Sequence, residues 1–378
     1  MVKQLGIIQR ESFMLAGLVV VIAAFFSLTT LAAHAYHRKQ EQFAVQWYQR
    51  GEEELKSSRP GAAVEDFRNA LAYSRDNDLY RLRLAEALMT DNRPQEARAH
   101  LLSLWEKEPG DGTINLELAR LAVMWGDTRQ AVRYYHAAIY GVWPDDPQQH
   151  RMQIRFELSE YLLSRHTIQD TREAQAELVA LVAVLPTDDA PGQARLGALL
   201  LDAGLYARAL VAFRNTLNQQ PNSLPALKGA GEAAFRMGEY ETARHYLLPV
   251  IAESPNDERS LEMLNLSELV LKLDPSIRGL SSRERARRAL HAFQLALARA
   301  KKCVNSQDGV PSGEDVASLV QQAEPMARRE AILARNPDAV EKTMDWAFKL
   351  EQSAAKCGTP TLEDRALTLL GERQEATR

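Results

Sequence analysis

The chain has 378 residues, too many for one ordinary domain of about 150 residues, so two or three modules or one extended repeat array are allowed. Hydrophobic residues make up 46% and charged residues 25%, which excludes a wholly disordered chain. Lys and Arg number 46 against 50 Asp and Glu, and the formal net charge of -4 provides no global basic field for nucleic-acid binding. Only 7% of the residues are aromatic, while Ala, Leu, Arg and Glu recur throughout, which favours an all-α fold.

The first element in chain order is an uncharged apolar run from Met14 to Ala33. At 1.5 Å per residue this run forms a helix about 30 Å long, enough to cross a bilayer once. We therefore predict an N-terminal tail over residues 1–13 and a single-pass transmembrane anchor over residues 14–35, with residues 14–33 in contact with the membrane.

Two alternatives to a retained anchor remain open. Ala33-His34-Ala35 resembles a small-x-small cleavage site, which would make the run a removable signal peptide. The run is longer than the about 7–15 apolar residues of a usual signal core, which favours a signal anchor. A buried helix of a soluble protein is the other alternative. Basic residues flank both ends of the run, so their distribution does not fix its orientation.

An alanine recurs at intervals of 34, 34, 43, 35 and 34 residues along the next two hundred positions. The six positions are Ala63, Ala97, Ala131, Ala174, Ala209 and Ala243. Proline follows four of them twelve residues later, at Pro109, Pro186, Pro221 and Pro255. A period near 34 is typical of repeated helical hairpins, and each proline is expected to end a second helix.

Small and large residues recur around each alanine. Three glycines lie five residues before it, at Gly126, Gly204 and Gly238, where a short turn needs a residue that can leave helical angles. Four residues after it comes a large side chain: Phe67, Leu101, Tyr135, Leu178, Phe213 or Leu247. A small residue followed one turn later by a large one predicts close packing of paired helices.

These residues resemble the tetratricopeptide repeat (TPR) family, whose pattern is W-x2-L-G-x2-Y, A-x3-F and P within 34 residues. One copy retains most of the pattern: Leu196, Gly197, Leu200, Gly204, Tyr206, Ala209, Phe213 and Pro221. The resemblance covers residues 44–257 as about six TPR-like repeats. It implies a right-handed TPR-like helical-hairpin solenoid, with a bulge or break where nine extra residues surround Trp143 to Pro147.

Beyond the repeats we predict a capping helix over residues 258–275 and a C-terminal helical module, or bundle, over residues 282–376. The predicted helices of the module are Ser282 to Cys303, Glu314 to Ala334 with an interruption at Pro325, Asn336-Pro337 to Cys357, and Thr361 to Ala376.

The two cysteines end two of these helices. If the helices flank a third in up-down-up order, Cys303 and Cys357 meet at one edge and can form a disulfide that closes a loop of about 54 residues. Such a bond persists in an oxidising compartment, which favours a periplasmic location for the bulk of the chain. Two unpaired thiols are the alternative.

A basic stretch from Arg278 to Lys302 holds eight Lys or Arg residues against Glu284 alone. It suits phosphates, anionic headgroups or an acidic partner, or it forms a solvated face paired with acidic neighbours. Aromatic residues do not alternate with the basic ones, so we expect no nucleic-acid partner. The sequence contains no P-loop, dinucleotide-binding glycine motif, His-Glu-x-x-His or Gly-x-Ser-x-Gly, so we expect no enzyme activity, no cofactor and no metal.

The TPR resemblance places a protein-binding groove on the first helix of each repeat. The residues expected to face it are Tyr48, Glu52, Leu82, Glu86, Met89, Leu116, Arg120, Val123, Ala198, Leu201, Lys228, Glu232 and Arg236. Their apolar central part suits an amphipathic helix or an extended apolar segment, although the same residues can instead pack against the chain itself. The Lys/Asn carboxylate clamp of TPR proteins that bind chaperone tails is missing.

These features together predict a membrane-anchored TPR scaffold or adaptor at a bacterial inner membrane. Its partners would be proteins or peptides of the membrane or envelope, in protein assembly, secretion or complex biogenesis. The alternatives are a permanent subunit of a multisubunit membrane complex and an enzyme whose active site in the C-terminal helices carries no motif.

Overall fold

The computed structural model describes residues 2–305, 313–325, 333–355 and 357–377, which contain seventeen α-helices and no β-strand. The predicted all-α fold is therefore confirmed over the described ranges. The chain divides into two compact units, one ending at Leu158 and one beginning at Ser159.

The N-terminal unit is a series of helical hairpins. Its helices are α1 (Val2–Lys56), α2 (Pro60–Tyr73), α3 (Asp78–Thr90), α4 (Pro94–Lys107), α5 (Gly112–Met124), α6 (Thr128–Tyr140) and the first part of α7 (Pro147–Ser164). Helices α1 and α2, α3 and α4, and α5 and α6 form the pairs, and each second helix also packs on the first helix of the next pair.

Helix α1 is continuous from Val2 to Lys56. The predicted tail, the predicted anchor and the first helix of the first repeat are therefore parts of one helix. No proline interrupts it, and its one interior glycine beyond the apolar run, Gly51, lies against the Phe67 ring of α2.

The C-terminal unit also contains helical hairpins, which a helical module follows. Its helices are α8 (Ile168–Val184), α9 (Ala190–Asp202), α10 (Tyr206–Gln219), α11 (Leu224–Arg236), α12 (Tyr240–Glu253), α13 (Glu258–Leu273), α14 (Ser282–Asn305), α15 (Gly313–Ala323), α16 (Pro337–Ser353) and α17 (Leu362–Thr377). Helix α13 packs against α12 on one side and against α14 and α17 on the other.

The repeated small and large residues form the repeat core, as the sequence predicts. All six alanines are fully buried, and the six large residues that follow them are at most 4% exposed. The Phe213 ring lies between α9 and α11, where glycines at positions 197 and 229 leave room for it. An added Cβ at either glycine would overlap the ring, so these glycines allow close packing of the helices.

The turns inside the hairpins end the first helices in the predicted way. Gly126, Gly204 and Gly238 have φ of +69°, +77° and +74°. In each turn the following N–H donates to the carbonyl five residues earlier, as in a Schellman motif. Asn92 and Ser58 take the same left-handed conformation at the matching positions of the first two repeats.

The second helices of the repeats end two residues before the predicted prolines, at Lys107, Val184, Gln219 and Glu253. Aspartates then begin the next first helices: the side chains of Asp111, Asp189 and Asp257 each accept a hydrogen bond from the backbone N–H three residues later.

The nine extra residues after α6 form an ordered connection. Gly112 N–H donates to the Val142 carbonyl at 3.0 Å, and Val142 N–H donates to the Gly110 carbonyl at 2.9 Å. The Trp143 ring is buried over Gly112, and its Nε1 donates to the Ala138 carbonyl at 2.9 Å. The connection is therefore fixed to α5 and α6 by both backbone and side chain.

The core of the C-terminal module lies where α14 packs against α16 and α17. Phe293, Met344, Leu350 and Leu367 are buried there. Helix α16 ends at Ser353, four residues earlier than predicted, so Cys357 lies beyond the helix end. The first half of the predicted helix Glu314 to Ala334 is α15, which ends at Ala323 before Pro325, and residues 326–332 lie outside the described residues.

Candidate protein-binding face

Charged side chains link the first helices of the first two hairpins. Arg83 in α3 lies 3.2 Å from Glu52 in α1 and 2.6 Å from Glu86 in its own helix. The three side chains are 21–37% exposed. Arg83 therefore bridges two carboxylates that lie at the same position in neighbouring repeats.

A second arginine joins two carboxylates one hairpin later, but it reaches forward along the chain where Arg83 reaches back. Arg120 in α5 lies 2.7 Å from Glu117 in its own helix and 2.8 Å from Glu157 in α7. The Tyr135 hydroxyl donates to Glu157 at 2.9 Å. We call the six charged residues the ion-pair ladder: Glu52, Arg83, Glu86, Glu117, Arg120 and Glu157.

Glu117 is the most deeply buried carboxylate of the ladder. Burial raises its pKa to about 7, the negative charges of Glu86 and Glu157 act in the same direction, and Arg120 opposes them. Since one arginine faces two carboxylates, this part of the ladder accepts a proton near neutral pH.

The predicted groove residues of the N-terminal unit fall into three environments. Glu52, Glu86 and Arg120 belong to the ladder. Leu82, Met89 and Val123 are half-buried, and Leu116 is buried. Tyr48 stacks on Tyr80 with ring centroids 4.9 Å apart, so it contributes to packing between repeats. These residues therefore combine paired charges with half-buried apolar side chains.

In the C-terminal unit the predicted groove residues are joined to the start of α13. Lys228 Nζ lies 2.7 Å from Asp257 Oδ2, and this contact holds the pKa of Asp257 below its usual range. Buried Glu232 pairs with Arg259. Arg236 is exposed and lies 3.8 Å from Glu232, while Ala198 is exposed and Leu201 is half-buried.

Sequence reasoning missed four partners on these faces: Arg83, Glu117, Glu157 and the ion pair of Arg195 with Glu160. The repeat spacing could have indicated these ion pairs. Equivalent residues of adjacent repeats lie side by side, so opposite charges near 31 or 37 residues apart are candidates for pairing.

The predicted pairing of Cys303 with Cys357 is present as a disulfide, with the two Cα atoms 5.4 Å apart. One turn before Cys303, Arg299 pairs with Glu351 of α16 and lies 3.6 Å from Asp364 of α17. All three side chains are nearly buried, and burial raises the pKa of Glu351 to about 7. The bridge ties the end of α14 to the segment that follows α16, and the charged cluster joins α14 to α16 and α17.

Four of the eight basic residues between Arg278 and Lys302 form ion pairs with other described residues: Arg287, Arg288, Arg299 and Lys301. Arg287 and Arg288 both pair with Glu284, and Arg288 also donates to the carbonyls of Leu271 and Asp274. Lys301 lies 2.7 Å from Glu324. These contacts favour the interpretation of a solvated face with acidic neighbours over a phosphate site.

The apolar run of α1 has the composition of a membrane span. Among the described residues, α1 is the one helix long and apolar enough to cross a bilayer by length and composition. The large apolar side chains described there are 58–69% exposed: Leu18, Val20, Val21, Ile22, Phe25, Phe26, Leu28 and Leu31. The N-terminal unit does not bury them.

Comparison with known proteins identifies tetratricopeptide repeats in two parts of the chain. The tetratricopeptide repeat sequence profile matches residues 54–113 and 200–265. The fold is similar to that of YrrB, a TPR protein with an unusual peptide-binding site, at 18% identity, with 52% of this chain and 97% of that chain covered and a TM-score of 0.42.

Two further structures give similar values. For pilF of Pseudomonas aeruginosa the identity is 14%, the coverage 59% of this chain and 97% of that chain, and the TM-score 0.43. For PilW, a type IV pilus biogenesis factor, the identity is 18%, the coverage 59% and 99%, and the TM-score 0.42. At such identities the likeness concerns the fold alone.

The profile match agrees with the alanine spacing and with the packing of the hairpins in both units. The stretches 54–113 and 200–265 of this chain are therefore tetratricopeptide repeats.

Proposed function

We propose that this protein is a membrane-anchored scaffold that binds other proteins through its repeat helices at a bacterial inner membrane, with the repeats on the periplasmic side. TPR repeats typically bind proteins or peptides. The observation that carries the proposal is the continuity of α1, which joins an exposed apolar run to the first repeat hairpin without a break.

The energetic argument for the anchor rests on the eight exposed apolar side chains of α1. Burying a large apolar side chain is worth about 1.5–3 kcal/mol, so lipid around these eight favours insertion by on the order of 10 kcal/mol. A bilayer supplies this burial along the full length of the run.

The argument for the periplasm rests on the bond between Cys303 and Cys357. Structural disulfides persist in oxidising compartments and are rare in a reducing cytosol. With α1 in the inner membrane, the oxidising side is the periplasm.

The expected partner segment matches the first-helix face of the N-terminal unit. Half-buried Leu82, Met89 and Val123 offer apolar contacts beside the ladder, whose four carboxylates outnumber its two arginines. An amphipathic segment with hydrogen-bond donors or basic groups along its polar side suits this mixture. Envelope assembly, secretion and complex biogenesis are the processes in which we expect such a scaffold to act.

Anchor and orientation are tested together on the full chain in native membranes. A cysteine at exposed Gln95 should react with a membrane-impermeant maleimide from the outer side, and alkaline carbonate should leave the protein in the membrane. The chain without the added cysteine is the control, because both native cysteines are bonded. Labelling only after the cytoplasm is opened would refute the periplasmic placement, and release by carbonate would refute the anchor.

Co-purification from detergent-solubilised membranes distinguishes an adaptor from a permanent subunit of a membrane complex. Substoichiometric clients that are lost at high salt support an adaptor, whereas a stoichiometric, salt-resistant assembly identifies a permanent subunit. Absence of any co-purifying protein would contradict both.

A further inference from the structure

The N-terminal unit has one edge that faces back along α1 toward the apolar run. Helix α2 is antiparallel to α1, so its last residue Tyr73 lies beside Phe43 of α1, with ring centroids 5.6 Å apart. Two further contacts bring the later turns to this edge: Lys107 Nζ to Asp78 Oδ1 at 2.7 Å, and Gly112 N–H to the Val142 carbonyl at 3.0 Å. We call this side, formed by the turns at residues 74–77, 108–111 and 141–146, the near edge.

Large apolar side chains are exposed along the near edge. Tyr73 and Leu79 beside α1 are 41% and 50% exposed, and Tyr140 and Val142 two hairpins away are 72% and 73% exposed. At the opposite edge, the turns of the first two hairpins contain only polar residues: Ser57, Ser58, Arg59, Asp91, Asn92 and Arg93. The third hairpin exposes Met124 and Trp125 there, at 44% and 39%.

Tyr140 and Val142 are held outward by a rigid connection. Backbone bonds on both sides of Val142 fix it to the turn before α5, and the buried Trp143 ring fixes the next residue. The guanidinium of Arg155 lies 6.0 Å from the Tyr140 ring, which steadies that side chain. The exposure of these two residues is therefore built into the ordered insertion.

The near edge lies close to the level at which α1 would leave the bilayer. Ten residues separate Ala33, the end of the apolar run, from Phe43, a rise of about 15 Å. The headgroup region adds about 5–7 Å to the hydrocarbon core on each side. A helix tilt of about 20° lowers a point about 20 Å from the axis by a further 7 Å or so. The rigid turns on the side of the tilt, with Tyr side chains about 6 Å long, therefore reach the headgroups.

We propose that the near edge is a second membrane contact, in which Tyr73, Leu79, Tyr140 and Val142 enter the headgroup region of the bilayer that α1 crosses. This inference rests on the proposed anchor. Tyr is enriched at membrane interfaces because its ring is apolar and its hydroxyl is polar. The contact fixes the tilt of α1 and holds the first-helix face of the unit at a constant height above the membrane.

The bilayer fits this edge better than a protein partner does. A gap of about 15 Å or less along α1 admits little more than one helix, whose diameter is about 10–12 Å. The charges of the first turn balance, since Arg75 lies next to Asp76 and Asp78 is paired with Lys107, whereas the other two turns carry only acidic charges, at Glu108, Asp111, Asp145 and Asp146. No excess of basic residues attracts this edge to the headgroups, so the contact depends on apolar side chains and is not weakened by salt.

The test uses the full chain in phosphatidylcholine vesicles with a fluorophore on one added cysteine. The positions are Leu79→Cys and Val142→Cys on the near edge, Met124→Cys on the opposite edge as the matched control, and Leu31→Cys in the apolar run. The exposed fraction of Met124, 44%, is similar to that of Leu79, 50%. Nitroxides on the lipid headgroup or on the acyl chain serve as quenchers, and the native disulfide keeps the other cysteines unlabelled.

We expect headgroup quenching at positions 79 and 142 to be several times that at position 124 and unchanged by high salt. Equal quenching at the two edges, or protection at 79 and 142 that requires another membrane protein, would overturn the inference. Acyl-chain quenching at position 31 reports the anchor separately. If position 31 is quenched and the near edge is not, the anchor stands and the second contact is wrong; if position 31 is not quenched, the anchor itself is wrong.

Discussion

Removing the disulfide should loosen the C-terminal module while leaving the repeats intact. The perturbation is the double substitution Cys303→Ser and Cys357→Ser. The bond closes a loop of 54 residues, and in the chain-entropy model a loop of that size stabilises the folded state by about 4 kcal/mol. The ends of α14 and α16 remain packed without it, because Arg299 still pairs with Glu351 one turn away.

Hydrogen exchange followed by mass spectrometry measures this effect locally. Amides of α14 and α16 that exchange through opening of the module should do so about a thousandfold faster in the double variant, the rate equivalent of about 4 kcal/mol. Amides of α10 and α11 should change much less. The exposed neighbour Val304→Ser is the matched control and should leave exchange unchanged.

A reductant added to the native chain should reproduce the variant, and added to the variant should change nothing. Exchange in α14 and α16 that is the same with and without the bond would refute the structural role.

Three further changes test the packing and the charges. Gly229→Ala should destabilise the C-terminal unit by about 1–3 kcal/mol in urea unfolding because its Cβ overlaps a buried ring, whereas Gly110→Ala, with open space around it, should be neutral. The pKa of Glu117 is about 7 in the folded state against 4.5 for a free glutamate, so between these pH values the folded state binds more protons than the unfolded state. The free energy of unfolding of the N-terminal unit should therefore fall as the pH rises from about 4.5 to 7. Glu117→Gln should reduce this pH dependence in urea unfolding. Arg299→Ala leaves two buried carboxylates without their cation and should cost about 3–5 kcal/mol, whereas exposed Arg283→Ala should have little effect; equal melting temperatures for the two would contradict the assignment of the buried cluster.

The repeat core was predictable because its constraints are local and recur every 34 residues. Ala209 and Phe213 lie one turn apart on one helix, and the glycine before them supplies a turn that most side chains resist. The continuity of α1 was also open to inference, since no proline lies between the apolar run and Lys56.

Contacts that do not recur with the 34-residue repeat could not be predicted from the sequence. Arg299 and Glu351 are 52 residues apart and meet only because α14 packs on α16. Trp143 marked an irregular insertion, but its burial over Gly112 depends on the meeting of two turns far apart in sequence. The left-handed turn at Asn92 shows that the glycine position also accepts asparagine, as its short polar side chain allows.

The residues of the candidate binding face were predicted from the sequence, but the ion pairs between them were not. The residues on each first helix follow from helical periodicity, whereas the ladder depends on how neighbouring hairpins are offset. Arg83 contacts Glu52 because residues 31 apart are brought level when one repeat stacks on the next.

Site-specific photocrosslinking in intact cells tests most directly whether this face binds proteins at the membrane. A photoreactive residue at Met89, on the first-helix face, is compared with one at exposed Gln95 on the second helix of the same hairpin. We expect a discrete crosslinked protein in the membrane fraction from position 89 and much less from position 95. Equal crosslinking from both positions, or no adduct from position 89 while the chain remains folded and in the membrane, would contradict the scaffold function.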